Sequence, residues 1–195
     1  MPSAEEIHQS LHGAWHMMLG KADGLRELDL SVDGFWNSFF AVAIALPALI
    51  VNWVTIADSY GELAQNFDDR FAIFIRLGII DLAAWLLPLA ALAAVARTAR
   101  LADRYVHYVV ASNWATAIVA WLMVPPAAPL LVLPDDTDLA WFLSVAIFIA
   151  SQIFVWRMTN VAIGKGAAVA SAVYGGMLVA SLAILVALQW LLGLT

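Results

Sequence analysis

Five apolar runs follow one another along this chain, separated by short polar segments. Crossing the hydrocarbon core of a bilayer takes roughly 20 mostly apolar helical residues, and each run reaches about that length. In lipid every backbone amide and carbonyl must be satisfied within its own segment, and the alternation typical of a barrel strand is lacking, so helices are favoured. We therefore predict an all-α integral membrane protein with five transmembrane helices, at about 36–57, 71–96, 105–126, 139–158 and 167–194.

The residues before the first run follow a different pattern. Between residues 5 and 19, apolar side chains recur at three- and four-residue steps, which predicts an amphipathic helix. The positions are Ile7, Leu11, Ala14, Trp15 and Met18. We expect this helix to lie at the cytoplasmic membrane interface with Trp15 and Met18 towards the lipid. The predicted domains are an amphipathic N-terminal cytoplasmic segment, 1–35, and a five-span membrane domain, 36–195.

Turn signals divide that segment further. Asp23-Gly24 and Asp33-Gly34 are dipeptides that mark turns and helix ends. Gly24 is expected to close the first helix in the left-handed conformation. Ser31 or Asp33 is expected to cap the next helix by accepting hydrogen bonds from its first amides.

Composition agrees with a membrane as the solvent. Hydrophobic residues make up 64% of the chain, charged residues 12%, and the mean hydropathy is +0.87. The formal charge of −6 argues against nucleic acid as a partner, because phosphate contacts need a basic surface. The chain has no cysteine, which excludes disulfides, thiolate metal sites and a cysteine nucleophile. The lipid bilayer is the partner that composition predicts.

The basic residues predict the orientation of the spans. Seven of the nine lysines and arginines fall in the N-terminal segment or in the loops after the second and fourth spans, whereas the alternate loops hold Arg70 alone. The seven are Lys21, Arg26, Arg97, Arg100, Arg104, Arg157 and Lys165. Such residues are retained on the cytoplasmic side, so the N-terminus is expected inside and the C-terminus outside. This bias and the alanine-rich spans favour a bacterial inner membrane.

Four polar side chains fall inside the predicted spans: Arg76, Asp81, Asn113 and Gln152. A charge at the bilayer centre costs roughly 2.5–3.5 kcal/mol. Arg76 can extend its guanidinium towards the outer surface, but Asp81 lies near the midplane. A bond from Asn113 or Gln152 would make Asp81 a fastener between helices, whereas a titrating Asp81 would relay protons or cations. We favour the fastener because no second intramembrane carboxylate is present to pass a proton on.

The last span carries a stripe of small residues at four-residue spacing. Such stripes let helices approach closely, so this one predicts helix packing within the chain or with another subunit. Its members are Ala168, Ala172, Gly176 and Ala180. Tryptophans near the span ends predict an interfacial aromatic belt: Trp53, Trp141, Trp156 and Trp190.

His8, His12 and His16 share one flank of the first helix at four-residue spacing. His8 and His16 are separated by about 12 Å of helical rise, so all three cannot bind one metal ion. Three interpretations stay open: a helix with its histidines at headgroup level, a pH-dependent membrane contact, and a metal site of two histidines with Glu5 or water. We favour the first, and no cofactor is predicted.

These patterns favour one class of function over two others. Signatures of hydrolases, metalloproteases and phosphate-binding enzymes are lacking, so enzymatic activity is not predicted. We predict a small inner-membrane scaffold, assembly or regulatory subunit that contacts other membrane subunits or further copies of itself. The alternative is a small transporter or channel component in which Asp81 is linked to protons or cations.

Overall fold

A computed structural model of the protein describes residues 1–60, 66–126 and 137–194, and these contain helices and no strand. A 3₁₀ turn, Ala22–Glu27, follows the first helix. The α-helices whose bounds lie within these ranges are α1 (Ala4–Met18), α2 (Val32–Ser38), α3 (Ala41–Ser59), α4 (Phe67–Val95), α5 (Tyr105–Leu122), α6 (Thr137–Ile163) and α7 (Ala167–Leu191).

Within the described residues, five helical segments are long and apolar enough to cross a membrane, as the sequence predicts. They are Val32–Ala57, Phe67–Val95, Tyr105–Pro126, Trp141–Ile163 and Ala167–Leu191. The chain therefore has the architecture of a multi-pass membrane protein. The first span is divided, because α2 ends at Ser38 and a tight turn at Phe39 and Phe40 leads into α3.

Side-chain caps fix where several helices begin. The Ser3 hydroxyl accepts from the Glu6 amide while the Glu6 carboxylate accepts from the Ser3 amide, which forms a capping box on α1. Ser31, one of the two predicted residues, caps α2 through the Gly34 amide. The prediction for Gly24 is wrong: α1 ends before Gly20, whose φ is +84°, and Gly24 lies within the 3₁₀ turn. Gly20 tolerates that conformation because it lacks a Cβ.

Helix α5 lies at the centre of the bundle, and α1, α2, α3 and α6 all pack against it. Helix α1 also packs on α6, where Trp15 meets Phe154 edge to face at a centroid distance of 5.6 Å. Met17 and Met18 are fully buried in the protein. The expectation that Met18 faces lipid is therefore wrong, because the protein itself encloses this side chain. Whether the rest of α1 meets a membrane interface stays a prediction.

Contacts at the helix ends show which connections lie together. Lys165, just before α7, donates to the Asp103 carboxylate at 2.7 Å, so the loops after α4 and after α6 share one end of the bundle. This hydrogen bond from Lys165 holds the pKa of Asp103 below its usual value. At the opposite end, the Tyr60 hydroxyl donates to the Leu194 carbonyl at 2.6 Å. The basic loops are thus together, as the charge pattern requires, while Glu62, Asp135 and Asp136 of the acidic loops lie outside the described residues.

Candidate functional site

A partly open cavity of 310 Å³ lies between the helices of the bundle, and all five spans contribute to its wall. Most of the wall is apolar. Polar side chains from four helices interrupt it: Asp81, Tyr108, Ser112, Thr116, Gln152, Tyr174 and Ser181. Its volume is at the lower end of the range of about 300–1,000 Å³ that small-molecule sites occupy. A mostly apolar chamber with a few converging polar groups is the usual form of such a site.

Asp81 supplies the carboxylate of this cavity. It lies midway along α4, fourteen residues from Phe67 and fourteen from Val95. Its Oδ2 accepts a hydrogen bond of 2.7 Å from the Trp53 indole of α3. The predicted bond from Asn113 or Gln152 is therefore wrong, because Trp53 occupies that role. Trp53 is itself 9% exposed, so it belongs to the protein interior and not to an interfacial belt.

The two predicted amides have other partners. Asn113 is fully buried, accepts from the Trp85 indole at 3.0 Å and donates to the Ser38 hydroxyl at 2.9 Å. Asn113 therefore joins α2, α4 and α5, and it lies outside the set of residues that line the cavity. Gln152 Oε1 accepts from the Tyr174 hydroxyl at 2.8 Å, which joins α6 to α7 within the cavity lining.

Arg76 lies apart from this group. Its side chain is exposed on the outer surface of α4, five residues before Asp81, and it does not line the cavity. A position five residues away on a helix points about 140° from the first, so the two cannot meet on one helix. Of the four predicted intramembrane polar residues, Asp81 and Gln152 line the same cavity, and Asn113 lies behind it.

Removing the indole donor should weaken the attachment of α3 to α4. We expect Trp53→Phe to lower the free energy of unfolding by about 1 kcal/mol through the lost hydrogen bond, the usual size of such a bond in a membrane protein. Unfolding in mixed detergent, measured in wild type and in an Asp81→Leu background, isolates this contribution. The exposed Trp190 provides the control as Trp190→Phe, for which no change is expected. An equal loss in both backgrounds would mean that packing, and not the bond, carries the effect.

The small-residue stripe of α7 faces an open groove and not a close helix contact. Ala168, Ala172, Gly176 and Ala180 line it on one side, and α4 residues from Pro88 to Val95 line the other; its volume is 610 Å³. A Cβ placed on Gly176 would meet nothing within 4 Å. The space that close packing would need is therefore not filled by the residues that the structure describes.

The histidine flank of α1 meets a residue that the spacing does not indicate. His12 Nδ1 lies 2.6 Å and His16 Nδ1 3.1 Å from the two carboxylate oxygens of Glu27, at the end of the 3₁₀ turn. His8 stacks on His12 at a centroid distance of 6.3 Å and lies outside this cluster. Glu5, the predicted third ligand, does not belong to it among the described residues.

These contacts also set the charge of Glu27. Hydrogen bonds from His12 and then His16 lower its pKa, so it stays ionised to a lower pH than a free glutamate. Glu27 follows His16 by eleven residues, and no periodic pattern relates the two. The sequence signals for a chain reversal between α1 and Glu27 are the glycines at positions 20 and 24.

Comparison with known proteins adds no assignment. No family model, no curated protein and no solved structure matches this chain.

Proposed function

We propose that this protein binds a small ligand within the membrane, as a component of a transporter or channel, with Asp81 as the residue linked to a cation or proton. The observation that carries the proposal is the cavity, which places a carboxylate, an amide and hydroxyl groups together inside five apolar helices. Ionisable residues inside spans are costly, and they commonly mark ion or substrate pathways.

The chemistry of the wall favours a cation as the ligand. Asp81 offers negative charge, and the aromatic rings of Trp85, Tyr108 and Tyr174 share the cavity with it. The faces of such rings attract cations, most strongly where water is excluded. Trp53 donates to the Oδ2 oxygen of Asp81, so the carboxylate is oriented at the wall by a residue that lies behind it.

Flux through vesicles tests this proposal. Purified protein is reconstituted into liposomes that contain a pH-sensitive dye, and proton and monovalent-cation fluxes are followed after imposed gradients. We expect Asp81→Asn to reduce the flux by at least about tenfold, because the charge is lost. Asparagine still offers an oxygen to the Trp53 indole, so stability should be retained.

The matched control is Asp68→Asn, an exposed aspartate in the first turn of the same helix. We expect its flux to stay within about twofold of wild type, since a surface charge is well solvated. Equal loss in both variants would contradict a specific role for Asp81. Absence of flux in wild type, in a sample that melts cooperatively, would contradict transport and favour the second candidate below.

The second candidate is a scaffold, assembly or regulatory subunit, and the open groove of α7 favours it. Three of the four stripe residues are exposed, and small residues at a helix surface allow another helix to approach closely. Five helices are few for enclosing a transport pathway, so a transporter of this size would need further copies or other membrane subunits. A scaffold or regulatory subunit would need the same association. The oligomeric state of the reconstituted sample distinguishes a self-associating subunit from one that needs another partner.

We further propose an inner-membrane location in a bacterium, with the N-terminus cytoplasmic and the C-terminus outside. The shared end of the basic loops, held by Lys165 and Asp103, supports the predicted charge asymmetry. Labelling of single cysteines from each side of intact cells tests it, because the chain has no cysteine of its own.

A further inference from the structure

Three side chains with metal-binding atoms converge where α1 meets the 3₁₀ turn. One nitrogen each from His12 and His16 and one oxygen from Glu27 lie within 4.8 Å of one another. The two imidazole rings are 4.1 Å apart, centroid to centroid, and inclined by 58°. Both Nδ1 atoms point at the same carboxylate.

The backbone holds this arrangement in place. After α1 the chain reverses at Gly20, where the Lys21 amide donates to the His16 carbonyl at 2.9 Å. The 3₁₀ turn then packs directly on α1, because Gly13 and Gly24 bring their backbones into contact. A Cβ on Gly13 would lie 2.7 Å from the Gly24 carbonyl oxygen and 2.9 Å from the Glu27 Cβ. Glu27 is therefore fixed opposite the histidines by main-chain contact.

We propose that His12, His16 and Glu27 form a binding site for a divalent transition-metal ion, with Zn²⁺ the best match. Two imidazole nitrogens and one carboxylate oxygen are a common zinc ligand set, in which water completes the tetrahedron. Ligand atoms about 2.1 Å from a tetrahedral ion lie about 3.4 Å apart. The 2.6 Å contact of His12 and the 3.1 Å contact of His16 end on different oxygens of Glu27. One ligand atom from each of the three residues lies within 4.8 Å of the others, so side-chain rotation has to bring these atoms to the spacing of about 3.4 Å.

The three side chains are partly exposed to solvent, so a bound ion could exchange. The His12 side chain is 50% exposed, and those of His16 and Glu27 are each 27% exposed, so an ion can enter while two ligands remain partly enclosed. A bound ion would connect α1 to the turn and so secure the N-terminal segment on the bundle. The site is independent of the cavity and of the function proposed for it.

Metal titration of the full-length protein in detergent tests the site. The protein carries an affinity tag without histidine and is treated with EDTA before use. We expect one Zn²⁺ per chain by calorimetry and one Co²⁺ with the visible absorption of a tetrahedral complex. We also expect zinc to raise the melting temperature, because an ion that binds the folded state stabilises it.

Variants assign the ligands. We expect Glu27→Gln, His12→Asn and His16→Asn each to weaken zinc affinity by at least about tenfold, since each removes one of three protein ligands. The matched control is His8→Asn, on the same flank of α1, which should bind within about twofold of wild type. Glutamine at position 27 can still hydrogen-bond to both imidazoles, so this variant separates metal binding from folding. Equal weakening by His8→Asn, unchanged affinity in Glu27→Gln, or no saturable binding would each overturn the proposal.

Discussion

The Asn113→Ala variant should lose about 2–4 kcal/mol of unfolding free energy, because it leaves a cavity and an unpaired indole in the protein interior. Asn113 is fully buried and bonds both to Trp85 of α4 and to Ser38 of α2. With alanine in place, the half-buried Trp85 indole loses the acceptor of its N–H, and a donor left without a partner away from water costs free energy of solvation. Three helices lose their common polar contact at once.

Unfolding in mixed detergent, followed by tryptophan fluorescence and helicity, measures this loss. The matched control is Asn52→Ala, because the Asn52 side chain donates within its own helix, to the Ala48 carbonyl at 3.1 Å. Its loss should change stability by less than about 1 kcal/mol. If both alanine variants lost the same amount, the network between helices would contribute no more than a local bond.

The Gly24→Ala variant should lose about 2–3 kcal/mol, because its added methyl group would overlap the Gly13 carbonyl oxygen. The overlap involves backbone, which cannot rotate away as a side chain can. The added methyl group on residue 24 would also lie 2.8 Å from the His16 Cβ. The 3₁₀ turn must then move off α1, and Glu27 must move away from the two histidines.

Thermal melting and zinc titration of the same sample show both effects. Gly175→Ala is the control: a methyl group on this helical glycine would meet nothing within 4 Å, and alanine there should be neutral or stabilising by up to about 1 kcal/mol. A Gly24→Ala protein with the wild-type melting temperature would show that α1 and the turn are not closely attached in solution.

The five spans were predictable because hydropathy and length depend on the chain alone. The ends of the spans were less predictable. The predicted fourth span ends at 158, whereas α6 continues to Ile163. The predicted first span is continuous, whereas the structure divides it at Phe39 and Phe40. Hydropathy does not report such local backbone geometry. Helix α2 packs against α5, and no periodicity in the sequence encodes such a tertiary contact.

For the polar contacts too, the sequence predicts what depends on a single residue or helix and misses what depends on the packing of helices. Asp81 was predictable as a residue that needs a partner, since its cost in lipid follows from its charge. The partner of Asp81 was not predictable. Trp53 lies near a span end in the sequence, where an interfacial side chain is expected, and its indole meets Asp81 only when α3 packs on α4. Likewise, His12 and His16 stood out by their spacing, while Glu27 joins them only through the reversal at Gly20.

The packing of α1 has a consequence for biosynthesis. This helix precedes α5 and α6 along the chain, yet it packs against both of them. The contacts of α1 with the bundle can therefore form only after the third and fourth spans have been synthesised. In a nascent chain halted before α5, the face of α1 that packs on these two helices would have no helical partner, so complete docking of α1 requires the fourth span.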